Sequence, residues 1–246
     1  MKLTVLGRYG PYPAAGGACS GYLLEEEGCP VLLDCGNGVL SRLQEHLKPW
    51  ALEAVLLSHL HFDHIADLMV LRYALDYARS RDLRPHPLPL YALPKPAAEF
   101  ERLLYKGLFK AVPLSGGEKL TVGPFNFSFI ETIHSVPCLA MRIETEKGVL
   151  VYAVDTEYFD GLVNFAAGAD ILLTEASFLE KDTRRSPVNH LTAADAARLA
   201  SRAGVNRLLL THFHPERSPD ASLEEAREYF AAAELAREGQ TYRISG

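Results

Sequence analysis

Three histidines and one aspartate lie within the six-residue segment His59-Leu60-His61-Phe62-Asp63-His64. Imidazole nitrogens and carboxylate oxygens are the ligands that a catalytic Zn²⁺ prefers, at about 2.0 to 2.2 Å, with one position left open for water. In this H-x-H-x-D-H spacing, His59 and His61 can bind one ion while Asp63 and His64 face a second. Packing gives no reason to gather four such side chains, so the segment predicts a metal site.

Three further candidate ligands each follow an apolar, strand-like stretch: His134, Asp155 and His212. Side chains at the ends of separate strands can converge on one rim of a sheet. Each residue alone could be an ordinary polar side chain, but together they would complete two coordination shells. Two ions about 3.5 to 4 Å apart would share a bridging water, lower its pKa and supply a hydroxide nucleophile at neutral pH.

Other residues near these candidates leave alternatives open. His190 lies in a loop before a predicted helix, where a free imidazole suits acid–base catalysis, although an ordinary surface histidine is the alternative. His214 could point toward the same rim, and Cys138 is either a soft ligand or a buried thiol. Arg184 and Arg185 either contact an anionic substrate or are solvated.

Strands and helices alternate along the chain in a way that predicts an α/β sandwich. The predicted strands cover residues 2–6, 31–36, 53–58, 88–92, 125–133, 139–145, 149–154, 171–174 and 207–211. The predicted helices cover residues 39–47, a stretch from 65 onward, 97–105, 159–167, 193–203 and 223–237. Thr192 and Asp195 resemble a helix-capping pair. The glycine-rich stretch 7–21 lacks the G-K-[ST] ending of a phosphate loop, so its glycines are assigned to backbone geometry.

Composition limits the class of protein. A chain of 246 residues can form one α/β domain, and we expect a single domain over residues 1–246. The net charge of −6 disfavours an extended nucleic-acid-binding surface. Four cysteines without C-x-x-C spacing, no signal peptide and no apolar run of about 18 residues favour a cytoplasmic protein that does not enter the membrane.

Seven short motifs, spread over nearly the whole chain, carry a family resemblance. They are Leu32-Leu33-Asp34-Cys35-Gly36, the segment from His59 to His64, His134, Tyr152-Ala153-Val154-Asp155-Thr156, Leu172-Leu173-Thr174-Glu175-Ala176-Ser177-Phe178, Asn189-His190-Leu191-Thr192-Ala193-Ala194 and Leu210-Thr211-His212-Phe213. The sequence resembles the metallo-β-lactamase superfamily and, through the Glu175 and His190 motifs, its ribonuclease Z branch. This resemblance implies a four-layer αββα sandwich and a homodimer.

The resemblance also implies roles for individual residues. It places His59, His61 and His134 on the first ion, Asp63, His64 and His212 on the second, and Asp155 between both. The ions would be divalent, with Zn²⁺ favoured and Mn²⁺ as the alternative. Asp63 and His190 are then the catalytic residues, with His190 as a general acid or phosphate contact. Asp34 would orient a ligand imidazole, and Glu175 would support His190.

One departure from the branch changes the expected substrate. Ribonucleases of this branch that process transfer RNA carry a Gly/Pro-rich arm between the third motif's histidine and the bridging aspartate. Here the interval from His134 to Asp155 holds only two predicted strands and the Lys147-Gly148 turn. The acidic charge also opposes a grip on transfer RNA. We therefore expect a small phosphodiester substrate, such as a cyclic nucleotide or a short oligonucleotide.

Three other functions compete with this expectation. A carboxyl-type hydrolase, such as a lactonase, thioesterase or β-lactamase, could use the same metals to attack a carbonyl. Transfer-RNA 3′-processing without the arm is the second alternative. A binding or sensor protein that has lost turnover is the third, and it is disfavoured because every candidate ligand is present.

Overall fold

The structure is a computed structural model that describes residues 1–185 and 189–245. The strands of its first sheet are β1 (Lys2–Gly7), β2 (Gly21–Glu26), β3 (Cys29–Leu33), β4 (Ala54–Leu56), β5 (Leu88–Ala92), β6 (Phe109–Pro113) and β14 (Thr241–Arg243). Those of the second sheet are β7 (Lys119–Val122), β8 (Phe125–Glu131), β9 (Leu139–Thr145), β10 (Gly148–Ala153), β11 (Ile171–Glu175), β12 (Arg207–Thr211) and β13 (Ala233–Leu235). The α-helices are α1 (Val39–Leu43), α2 (Phe62–Ile65), α3 (Leu68–Ser80), α4 (Ala97–Leu103), α5 (Asp160–Ala166), α6 (Ala193–Ala203) and α7 (Pro219–Arg227).

Both sheets are mixed. The first has the strand order β14-β1-β2-β3-β4-β5-β6, and the second has the order β13-β12-β11-β10-β9-β8-β7. Strands β3 to β6 run parallel to one another, as do β10 to β13. Strand β8 pairs antiparallel with β9, and β9 pairs antiparallel with β10, so β8 points the same way as β10.

Three apolar cores separate four layers. Along β3, Val31 and Leu33 point into the core between the sheets, while Leu32 points to the core beneath α1 and α3. Along β11, Leu173 points inward and Leu172 points to the core beneath α5 and α6. Because successive side chains of a strand alternate between faces, strands that are apolar at every position must be covered on both sides. This confirms the expected αββα sandwich.

The parallel strands bring their carboxyl ends to one rim of the sandwich. Asp34 follows β3 directly, Asp155 follows β10 by two positions, and His212 follows β12 directly. Glu175 is the last residue of β11. Loops at such a rim can hold polar side chains without disturbing the apolar cores below.

One predicted helix is wrong, and several strands were not anticipated. The helix expected over 223–237 ends at Arg227, and Ala233–Leu235 pairs in parallel with β12 as the edge strand β13. Strands β2, β6, β7 and β14 were also missed. The capping pair is confirmed, because the Thr192 hydroxyl accepts a bond from the Asp195 amide at the start of α6.

None of the helices described in residues 1–185 and 189–245 combines the length and the apolar character needed to cross a bilayer.

Candidate metal centre

The first group of candidate ligands gathers around His61. Its Nδ1 lies 3.0 Å from Nε2 of His59 and 3.2 Å from Nε2 of His134. His59 is fully buried after β4, and His134 comes from the loop after β8. Together with Asp155, these three histidines could hold a metal ion.

The second group lies beside the first. His212 Nε2 is 3.3 Å from His64 Nε2 and 3.2 Å from a carboxylate oxygen of Asp63. All three residues are buried, and they too could hold an ion. Two ligands bound to one tetrahedral Zn²⁺ at its usual bond lengths lie about 3.3 Å apart, so the spacing of ligand atoms in both groups suits such an ion.

The carboxylate of Asp155 stands between the two groups. Its Oδ1 is 3.4 Å from His212 Nε2 and 3.6 Å from His64 Nε2, on the side of the second group. Its Oδ2 is 3.7 Å from His59 Nε2 and 3.8 Å from His134 Nε2, on the side of the first. Each oxygen therefore faces a different cluster of nitrogens.

The electrostatics of the centre also suit a cation. Asp155 Oδ1 is buried, yet it has no hydrogen-bond partner among the described residues. Such an orphaned oxygen is costly unless a cation satisfies it. Burial by itself would lower the pKa of His64, but the surrounding carboxylates, led by Asp63, raise it to about 10. The carboxylates therefore dominate the electrostatics around His64, which suits a divalent cation beside it.

Asp34 orients the histidines of the first sheet. Its Oδ2 accepts bonds from Nδ1 of His64 at 2.8 Å, from the Tyr152 hydroxyl at 2.7 Å and from the Ser58 hydroxyl at 2.8 Å. The bond to His64 leaves Nε2 of that ring facing the centre, as expected for a carboxylate that aligns a metal-binding imidazole. Tyr152 was not singled out from the sequence, because its partner lies 118 positions away.

Glu175 holds His190 at the cavity wall. The carboxylate is fully buried, and its Oε2 lies 2.9 Å from Nδ1 of His190. Its Oε1 accepts the amide of Thr156 at 2.7 Å. Burial by itself would lower the pKa of His190, but the Glu175 carboxylate raises it to about 9. With Nδ1 engaged, Nε2 is the ring nitrogen left for a substrate.

A cavity of about 360 Å³ opens over the centre. Its lining includes His61, Asp63, His134, Asp155, His190 and His212, with Gly10, Pro11, Ser135, Ser177, Phe178, Asn189 and His214 completing it. A small-molecule pocket typically measures about 300–1,000 Å³, so this cavity takes a small substrate or the reacting part of a larger one.

The structure settles the position of two residues that the sequence left open. His214 lines the cavity and packs edge-on against Tyr12, but within the described chain it joins neither group of candidate ligands. Cys138 is buried in the core between the sheets, and burial raises the pKa of its thiol well above the usual range. The side chains of Arg184 and Arg185 lie outside the described part of the chain.

Three residues at the rim have a left-handed backbone although they carry side chains. The φ angles are +55° at Asp34, +52° at Asn189 and +54° at His212. The turn at Asn189 presents its carbonyl to Nδ1 of His134 at 3.0 Å, which leaves Nε2 of His134 facing the first group. This backbone conformation is costly for residues with a Cβ, and at these three positions it directs a side chain or a carbonyl toward the candidate centre.

Gly10 makes a close approach that the sequence did not reveal. A Cβ at this position would overlap the imidazole of His212. We expect Gly10→Ala to displace that ring. On the two-ion hydrolase expectation from the sequence, bound metal would fall from about two ions per chain to about one and hydrolysis on the order of 10²-fold. Metal analysis and steady-state kinetics measure both effects.

Gly16→Ala is the matched control, since it lies in the same loop and its added Cβ meets open space. Because φ is positive at Gly16, alanine is strained at this position. An effect that comes only from a less stable loop would therefore appear in Gly16→Ala as well as in Gly10→Ala. Unchanged metal content in Gly10→Ala would contradict the prediction.

Comparison with known protein families places the chain. A beta-lactamase superfamily domain matches residues 30–213, which include every candidate metal ligand. The chain belongs to the beta-lactamase superfamily. The probable metallo-hydrolase YhfI of Bacillus subtilis is 40% identical to the chain over 212 residues, which cover 86% of each of the two chains.

Two further similarities extend that match. The crystal structure of the metallo-beta-lactamase fold protein YhfI aligns with a TM-score of 0.94 at 37% identity over 98% of both chains. A ribonuclease Z of Methanopyrus kandleri is 28% identical over 99% of this chain and 98% of its own length. This chain is therefore a metallo-hydrolase of this superfamily, and its cluster of histidines and aspartates is capable of binding metal.

Proposed function

We propose that the chain is a binuclear metal-dependent phosphodiesterase for small phosphodiesters, such as a cyclic nucleotide or a short oligonucleotide. The observation that carries the proposal is His190, whose imidazole is held by the buried Glu175 at the wall of the cavity, 4.0 Å from Asp155. Hydrolysis of a phosphodiester breaks a P–O bond and releases an alkoxide, and a protonated imidazole at that position can donate to this oxygen and contact the anionic phosphate. A carbonyl substrate would in addition need a donor for its tetrahedral oxyanion.

The proposed metal ligands are the two groups described above. His59, His61 and His134 would hold one ion, Asp63, His64 and His212 the other, and Asp155 both. Bound Zn²⁺ or Mn²⁺ would lower the pKa of a water molecule and polarise the phosphoryl oxygens. The two-sided position of Asp155 supports this sharing, since each of its oxygens faces a different group.

The chain's own side chains would then handle the protons. Asp63 lines the cavity, and its carboxylate would accept a proton from the attacking water. His190 would donate a proton from Nε2 to the leaving oxygen, while Glu175 keeps the ring oriented through Nδ1. Asp34 would keep His64 aligned throughout.

Three observations favour a small substrate over transfer RNA. The cavity measures about 360 Å³, and the net charge of the chain is −6. The residues between His134 and Asp155 form β9, a tight turn and β10, which pair as a hairpin inside the second sheet and leave no length for an inserted arm. The similarity to ribonuclease Z supports phosphodiester chemistry, and transfer-RNA processing is the second candidate on that ground.

The test is a substrate panel with metal analysis. Purified protein is assayed with bis-(p-nitrophenyl) phosphate, cyclic nucleotides, a short oligonucleotide, a transfer-RNA precursor, a lactone and a β-lactam, before and after treatment with a chelator. We expect about two ions per chain and phosphodiester turnover that the chelator abolishes. Two bound ions without phosphodiester turnover would refute the proposal, and turnover of the lactone or β-lactam alone would replace it with a carboxyl-type hydrolase.

A further inference from the structure

Ser177 lies between a buried carboxylate and a candidate metal ligand. Its hydroxyl is 2.6 Å from Oε2 of Glu175 and 2.9 Å from Nδ1 of His212. The residue follows β11 by two positions and is only 7% exposed. The reaction proposed above assigns it no part.

The number of available protons decides the direction of these bonds. A serine hydroxyl has one hydrogen, and an ionised carboxylate can only accept. The 2.6 Å bond to Glu175 is charge-assisted and is shorter than the 3.1 Å contact of the same hydroxyl with the His212 carbonyl. The hydrogen therefore goes to Glu175, and the serine oxygen must accept a hydrogen from Nδ1 of His212.

That direction determines the tautomer of the ring. A neutral imidazole with its hydrogen on Nδ1 has a lone pair on Nε2. Nε2 of His212 is the atom that lies 3.2 Å from Asp63 and 3.4 Å from Asp155. The serine thus turns Nε2 of His212 toward the centre and supplies an acceptor for the hydrogen on Nδ1.

The same arrangement recurs on the other sheet, which makes an accidental contact a poor explanation. There the Ser58 hydroxyl donates to Asp34 at 2.8 Å and lies 3.0 Å from Nδ1 of His59. Asp34 also holds His64 directly, as Glu175 holds His190 directly. Each buried carboxylate therefore orients one histidine directly and a second through a serine.

We propose that Ser177 is a positioning residue that fixes the tautomer and orientation of His212, so that Glu175 aligns both His190 and a metal ligand. The inference rests on the proposed function only in taking His212 as a metal ligand. Removing an outer partner of a metal-binding histidine typically lowers metal affinity 10- to 100-fold, and we expect a loss of about that size for one of the two ions in Ser177→Ala.

The experiment titrates the metal-depleted full chain with Zn²⁺ by competition against a chelating dye. Ser177→Ala should lose affinity at one ion only, whereas Ser177→Thr, which retains the hydroxyl, should restore it. Ser201→Ala, an exposed serine of α6, is the matched control and should bind both ions as the parent chain does. Equal affinities in Ser177→Ala and the parent chain would overturn the proposal.

A second readout needs no folded variant and no substrate. Nitrogen-15 NMR of the Zn²⁺-loaded parent chain reports which ring nitrogen of His212 carries a hydrogen and which one binds the ion. We expect the hydrogen on Nδ1 and the ion on Nε2, and an Nδ1 without a hydrogen would overturn the proposal even if Ser177→Ala failed to fold. Two tightly bound ions without phosphodiester turnover would refute the proposed function while leaving this inference intact.

Discussion

Asp155→Ala is expected to remove both metal ions and to lower hydrolysis on the order of 10³-fold or more. The two carboxylate oxygens of Asp155 face different groups of histidines, so the loss of this side chain would open both proposed coordination shells at once. Metal ions contribute several kcal/mol of transition-state stabilisation, and each 1.4 kcal/mol is about tenfold in rate. Metal content by plasma emission spectrometry and kcat with a cyclic nucleotide measure the two losses.

Two variants sharpen this prediction. Asp155→Asn keeps the shape of the side chain and removes its charge, so it should also lose metal, which separates the role of the charge from a cavity left by alanine. Asp160→Ala, at the exposed start of α5, is the control aspartate and should keep about two ions per chain. Retention of both ions by Asp155→Ala would show that Asp155 does not bridge them.

His190→Ala should lower turnover of a cyclic nucleotide by about 10² to 10⁴-fold while metal content stays near two ions per chain. The reason is that the variant removes the proton donor for the leaving alkoxide and leaves the proposed ligands in place. The loss should be much smaller with bis-(p-nitrophenyl) phosphate, because p-nitrophenolate leaves without a proton. The ratio of the two losses therefore measures acid catalysis directly.

His190→Ala has a matched control and an outcome that would contradict its proposed role. His46→Ala, at an exposed position after α1, should keep full activity with both substrates. The ligand atoms of Asp155, His190 and His212 lie close enough to share an ion, so loss of metal in His190→Ala would make His190 a ligand. An equal loss with both substrates would argue against its role as an acid.

The candidate centre could be predicted from the sequence because its residues follow strands. The polar residue after each apolar run, such as Asp155 after β10 or His212 after β12, is visible in the sequence. Parallel strand direction then dictates that such residues meet at one rim. The roles of Asp34 and Glu175 were expected from the family resemblance, which implies that Asp34 orients a ligand imidazole and that Glu175 supports His190. In the structure Asp34 contacts His64 and Glu175 contacts His190.

Residues that act through tertiary contact were not predictable in this way. Gly10 matters because the ring of His212 lies against it, and Ser177 because the ring of His212, 35 positions away, meets its hydroxyl. Neither contact leaves a periodic pattern in the sequence. The helix expected over 223–237 failed for a related reason, since pairing with β12 draws Ala233–Leu235 into the sheet against its local helical preference.

The three left-handed residues at the rim set a limit on how the chain can be made more stable. Asp34, Asn189 and His212 each carry strain on the order of 1 kcal/mol, whereas the free energy of unfolding of a folded domain is only about 5–15 kcal/mol. Glycine would release that strain, but at Asp34 and His212 it would delete the side chain for which the strain is tolerated. Engineering for heat resistance therefore has to leave Asp34 and His212 unchanged and to gain stability elsewhere, in the helices and the outer strands.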